Sequence, residues 1–321
     1  LKLSILDQVP VLSGAMSRDA ILSTLELAEM AERFGFTRYW VAEHHDMKRF
    51  ACPAPDILLG LIGSRTKKIR IGAGAVLLPH YRPYNITERY NVLATLYPKR
   101  VDVGIGRAPG GSAEATIALS GNFLENVKKI SADIDELVAF FQQTFTKDHL
   151  YANVAPTPIP NFSPDLWLLG TSEKSAKLAA EKGMSYAFGH FMTEQDGPAI
   201  VDGYRKRYNG KVIIAVSVIC APTSEAARKL AERADIENKK FKEKHISKAT
   251  SKAVRDRDRS KGDVSTEGLT AKYILGNPEQ VHKQLQSLQK IYQADEIMIL
   301  TNTPDYESRK NSYRLIAQAC L

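Results

Sequence analysis

The order of its apolar runs constrains this chain most: short β-rich segments alternate with longer stretches of helical periodicity about eight times from end to end. The first run, residues 3–7, is followed at 19–34 by Ile21, Leu25, Ala28 and Ala31 at spacings of three and four, with Gly35 placed as a C-terminal cap. A strand at 38–42, a helix at 55–65 and a strand at 68–78 that is apolar on both faces come next. Asn85 with Glu88 resembles a capping box, opening a helix that Pro98 ends. Strands at 101–105, 165–169, 185–188 and 212–220 then alternate with helices at 122–144, 172–182, 194–207 and 224–242. Asn277, Pro278 and Gln280 supply an N-cap, a first-turn proline and a capping glutamine, and a strand at 295–300 with a helix at 305–319 closes the chain.

Strands joined by helical crossovers lie parallel, and a parallel sheet hides both faces. About eight such units favour closure into an α/β TIM (β/α)8 barrel. An open doubly wound sheet is the competitor, but the first βα turn lacks the glycine-rich phosphate fingerprint of that fold. A barrel occupies roughly 250 residues or more as one unit, so residues 1–321 read as a single domain. Two stretches exceed the bare barrel and read as loops inserted at its C-terminal face: one at about 147–162, rich in Pro and Asn, and a basic one at about 242–269.

Composition limits what the barrel can do. Three cysteines, Cys52, Cys220 and Cys320, are odd in number and widely separated, which suits reduced cytosol rather than a disulfide framework or a zinc cluster. The opening run is too short and too charged for a secretion signal, and no uncharged apolar stretch approaches the roughly 20 residues of a membrane span. A cytoplasmic protein without membrane contact is expected. The net charge of +8 is concentrated at 239–261, a run without the interleaved aromatics that stack bases, so an anionic small molecule rather than nucleic acid is the expected partner.

Barrel active sites sit just beyond the strand C-termini, and four such places carry chemistry. After the second strand come Glu43, His44 and His45; neighbouring residues point to opposite faces, so the two histidines cannot readily share one metal and one of them faces the mouth. Gly72 to Ala75 let backbone approach a ligand, although small residues also serve barrel packing. Arg107 stands in a glycine-rich turn that can hold a phosphate or ring carbonyl. Gly170, Thr171, Ser172 and Ser175 surround a helix start whose N–H groups and hydroxyls suit an anion, though plain N-capping needs one hydroxyl alone. Together these are the requirements of a phosphorylated planar cofactor.

Segments 39–45 (YWVAEHH), 71–79 (IGAGAVLLP), 96–110 (LYPKRVDVGIGRAPG) and 168–183 (LLGTSEKSAKLAAEKG) resemble, in order and spacing, signature segments of the bacterial luciferase-like flavin monooxygenases. The resemblance covers nearly the whole chain. It implies that His44 acts in proton transfer beside the flavin and that Glu43 lines the same pocket. It places a non-proline cis peptide between Gly74 and Ala75, against the isoalloxazine. Arg107 matches the family's cofactor-binding arginine, and Ser172 and Ser175 match its phosphate-site hydroxyls. The position of luciferase's reactive cysteine is Gly106 here, so light emission is not implied.

The resemblance further implies FMN, taken as FMNH2 from a separate flavin reductase, a small-molecule substrate, a mobile lid at 242–269 and a homodimer paired through helices. An F420-dependent hydride transferase and a flavin-binding protein without turnover are the alternatives. A metal-dependent hydrolase on the same barrel is the remaining competitor.

Overall fold

The computed structural model describes residues 1–245 and 273–321. Its strands are β1 Leu3–Asp7, β2 Arg38–Val41, β3 Arg70–Leu77, β4 Val101–Gly106, β5 Asp165–Gly170, β6 Ser185–Gly189, β7 Val212–Cys220, β8 Ile274–Gly276 and β9 Glu296–Leu300. The helices are α1 Ser17–Phe34, α2 Pro55–Arg65, α3 Pro83–Leu96, α4 Ala113–Ser120, α5 Phe123–Gln142, α6 Glu173–Glu181, α7 Gly197–Arg205, α8 Ser224–His245, α9 Pro278–Tyr292 and α10 Tyr306–Cys320. Each of β1 to β6 pairs in parallel with the next, β6 pairs with β7, β7 with β9, and β9 returns to β1, closing a ring of eight strands. The expected TIM barrel is therefore the fold, and the open sheet is excluded by the β1–β9 pairing at Ile5 and Ile299.

A barrel is filled by side chains, and the charge inside this one lies at the strand N-termini. Arg38 at the start of β2 bonds Asp102 of β4 at 2.8 Å and Glu296 of β9 at 2.7 Å, while the Trp40 indole donates to Asp102 at 2.9 Å. Burial works against this guanidinium, and the two carboxylates more than restore it, raising its pKa above the usual value. Further along the axis Leu6, Ala42, Trp167, Ala187, Ala215 and Met298 form an apolar cluster with small residues among its members. The charged floor and this cluster hold the β2 to β5 ends that carry the candidate residues.

Several local expectations are corrected. The helix after β3 begins at Pro83, whose fixed φ suits a first helical position, with Arg82 as an N-cap making no side-chain bond. Asn85 and Glu88 thus lie inside the helix and form no capping box. Helix α4 was not anticipated; it has no marked apolar stripe and only Thr116 is buried on it. Helix α7 begins at Gly197 after an Asp196 cap, later than expected, because a 3₁₀ turn at His190–Met192 takes up the preceding chain. Strand β8 pairs with the Val218–Cys220 end of β7 outside the ring.

The 147–162 insertion connects α5 to β5, so it feeds a strand N-terminus and belongs to the α-to-β connections, not to the C-terminal face. Asn91 and Tyr84 of α3 donate to the carbonyls of Pro156 (2.7 Å) and Ala155 (3.2 Å), which tie it to the outside of the barrel. Of the 242–269 segment, residues 242–245 end α8, and the rest lies outside the described residues, as does the expected lid. Among the described residues no helix is long and apolar enough to cross a membrane.

Candidate functional site

Beyond Val41 the chain leaves the sheet, and the alternation of side chains separates the three ionisable residues that follow. Glu43, 4 % exposed, accepts from the Leu77 N–H at 3.1 Å and the Tyr81 hydroxyl at 2.7 Å, and its other contact is His45 Nε2 at 2.7 Å. His44 takes the opposite side. Its ring stacks on Phe50 with centroids 4.2 Å apart, and its Nδ1 is buried without a hydrogen-bond partner among the described residues. Burial, then the neighbouring His45, push its imidazole down to about 4, so it is neutral at pH 7.

The other segments are tied to this one directly. The backbone N–H of His45 donates to Gly110 O at 2.8 Å, and Ser112 donates to Asp46 at 2.6 Å, docking the Arg107 turn against 43–46. His80 joins the same contact through Pro109 O at 2.8 Å. The Gly74–Ala75 peptide is cis, as the family resemblance implies. A Cβ on Gly106 would come within 2.8 Å of Ala75 Cβ, so a side chain is excluded where β3 and β4 leave the barrel.

On β5, a Cβ at Gly170 would meet Ser175 Oγ at 2.1 Å, so glycine lets the start of α6 close onto the strand. Ser172 is the N-cap of α6 and shares a reciprocal capping box with Ser175. The Ser175 hydroxyl donates to Ser172 O at 2.7 Å, lies 2.9 Å from the Tyr186 hydroxyl and is buried. It therefore stands behind Ser172, while Thr171 and Ser172 remain partly exposed. Burial raises the Tyr186 phenol to about 12, with Ser175, the Ser172 backbone and the Arg107 charge acting in the opposite sense. The charge of Arg107 is thus felt at this corner; the side chain is exposed and makes no ion pair or hydrogen bond among the described residues.

Sequence-chosen residues thus gather along four adjacent strand ends, β2 to β5. Sequence reasoning missed Tyr81, His80, Tyr186 and Phe50, whose roles are contacts between distant segments. Only the alternation argument, which set His44 and His45 on opposite sides, carried a usable signal.

The residues present fit a phosphorylated flavin: a neutral histidine with an unpartnered ring nitrogen, a side-chain-poor surface at Gly74, Ala75 and Gly106, an unpaired cation and an open helix start. On the other half of the mouth lies a cavity of about 290 Å³, bounded by loops after β1 and β9, by Arg49 and by α8. A barrel with polar groups assembled at its strand C-termini has the layout of a TIM-barrel enzyme.

The luciferase-like monooxygenase family matches residues 2–294, and the chain belongs to that family. It is 32 % identical over 339 residues to an N-acetyl-S-alkylcysteine monooxygenase of Bacillus subtilis (strain 168), an alignment covering 100 % of this chain and 98 % of the relative. The crystal structure of apo-MsnO8 superposes with a TM-score of 0.86 at 30 % identity, covering 99 % of this chain and 98 % of that one. An F420-dependent secondary alcohol dehydrogenase shares the fold at a TM-score of 0.72 and 17 % identity, covering 100 % of this chain and 99 % of the other.

Proposed function

We propose that this chain is a cytoplasmic, homodimeric FMN-dependent monooxygenase that takes FMNH2 from a separate flavin reductase and oxygenates a small organic substrate. The observation that carries the reading is the direct linkage of the 43–46, 74–77 and 107–112 segments at one side of the mouth, with the Arg107 charge acting on Tyr186 beside the 170–175 helix start. Bound FMNH2 supplies the electrons for oxygen activation, with one oxygen atom passing to substrate and the other leaving as water.

This chain's residues bind and orient the cofactor. Arg107, Gly170, Thr171, Ser172 and the first N–H groups of α6 hold the phosphate, for which a helix N-terminus and a guanidinium are matched donors. Gly74, Ala75 and Gly106 give the ring a flat surface. His44, neutral at working pH, accepts and returns a proton at Nε2, since Nδ1 is sealed within the protein. Glu43 and Ser175 position these groups from behind, through Leu77 and Ser172 respectively.

The test mixes purified protein anaerobically with photoreduced FMN, admits ¹⁸O₂ in the presence of a thioether panel, and reads product mass. Incorporation of one labelled atom is expected. Failure to bind reduced FMN, or tighter binding of F420 with hydride transfer, rejects the reading. Arg107→Ala should weaken FMN binding by about 10- to 100-fold, the range for loss of a charge-assisted hydrogen bond, and flavin fluorescence titration measures it.

The dimer reading rests on α2 and α3, where Ile57, Leu61, Val92 and Leu96 are exposed large apolar residues spaced four apart on each helix. Leu61→Asp combined with Leu96→Asp should convert dimer to monomer in analytical ultracentrifugation. An unchanged sedimentation coefficient, or a wild-type monomer, would reject this face.

A further inference from the structure

We propose that the cavity beside the flavin half of the mouth is the substrate site, and that Arg49 in its wall selects an organic carboxylate with a short, partly apolar body; this rests on the monooxygenase reading above. The cavity lies between the loops after β1 and β9, and Arg49 comes from the same β2–α2 loop as His44 and Phe50. Phe50 joins the two halves: His44 stacks on its ring at 4.2 Å, and the Arg49 guanidinium carbon lies 5.7 Å from its centroid. A molecule in the cavity is therefore next to the face where the flavin chemistry would occur.

The lining defines the chemistry of the occupant. Pro10, Leu12, Ala234 and Pro304 are apolar, Asn238 and Asn302 can donate or accept, and the volume of about 290 Å³ suits a small molecule. Two of the charged groups in the wall balance each other, since Lys240 lies 3.6 Å from Glu237. The Arg49 guanidinium makes no ion pair and no hydrogen bond among the described residues. Tyr273 and Asp235 act on it electrostatically, and Asp235 accepts the Tyr273 hydroxyl at 3.0 Å. Burial lowers the pKa of this guanidinium despite both of them. A partly desolvated fork of N–H donors is matched by a carboxylate, which accepts two parallel bonds, and is poorly matched by a neutral group.

The experiment uses full-length protein loaded with FMN and a panel of small carboxylic acids, including N-acetyl-S-methylcysteine, S-alkyl thioether acids and short aryl acids, each beside its primary amide. Calorimetry or ligand-observed NMR gives the affinities. At least one acid is expected to bind about tenfold or more tightly than its amide, the advantage a charged hydrogen bond brings. Arg49→Met should erase that difference, and Arg49→Lys should restore part of it. FMN affinity should stay as in the wild type, showing an intact barrel. If no acid in the panel exceeds its amide, or if Arg49→Met retains the preference, the proposal is overturned. Failure of the underlying reading shows separately, as a wild-type protein that does not bind FMN.

Discussion

His44→Ala is expected to lower the rate of substrate oxygenation by about 10²- to 10⁴-fold, the range for losing a positioned general acid–base group, with FMN affinity nearly unchanged. The reason is the state of the ring: burial beside Phe50, reinforced by His45, holds it neutral down to about pH 4. The acid limb of the His44-dependent rate therefore belongs near pH 4, well below the 6.5 of an ordinary histidine. Stability has a matching sign. Between pH 6.5 and 4 the unfolded chain binds a proton that the folded ring refuses, so the contribution of this group is full above 6.5 and is lost as pH falls through about 4. His44→Ala should be less acid-sensitive in that window than the wild type. A rate profile whose acid limb stays near 6.5, or a variant as active as the wild type, would remove His44 from the proton-transfer role.

Asp7→Ala should destabilise the fold by about 3–5 kcal/mol, because it strands a buried guanidinium. Asp7 ends β1 fully buried, and Arg309 of α10, 2 % exposed, donates to it at 2.6 Å. Thr24 of α1 and the Val9 N–H each donate at 2.7 Å, and Tyr39 of β2 donates as well. Burial alone would raise the Asp7 pKa, but the Arg309 charge and these donors hold it below its usual 3.8. Its stabilisation is therefore present at neutral pH and disappears as pH falls through that lowered value. Urea unfolding at pH 7 measures the loss. Arg309→Met in the same chain should bring the double variant's cost below the sum of the two single costs, since the stranded charge goes with it. Strict additivity would show that the pair is not coupled.

Much of the architecture is legible in the residues because periodicity is a local property. Strand β7 and helix α2 have the expected bounds, and the Asn277–Gln280 cap is formed as read. The capping box at Asn85 misled because Pro83 two residues earlier sets the helix start more strongly than a side-chain bond would. The 147–162 insertion was placed on the wrong face, although the order helix, loop, strand already assigns it to a strand N-terminus.

Within the site, the small residues and the cation were legible as types at strand ends, and the cis Gly74–Ala75 peptide followed from the resemblance alone. Two roles were not legible. Glu43 and Ser175 read as groups offered to a cofactor, whereas each is buried among protein partners, Leu77 and Tyr81 for Glu43 and Ser172 and Tyr186 for Ser175.

The sequence by itself determined the alternation of strands and helices, and through it the parallel barrel and the position of the chemistry at the strand C-termini, because apolar spacing and turn residues act within a few residues. Only the tertiary structure decided which polar atoms remain unpaired. Whether a hydroxyl, carboxylate or ring nitrogen is free for a ligand depends on partners such as Leu77 for Glu43, Tyr186 for Ser175 and Arg309 for Asp7. Those partners are brought near by ring closure, and the free energy of a buried polar group depends on whether such a partner is present.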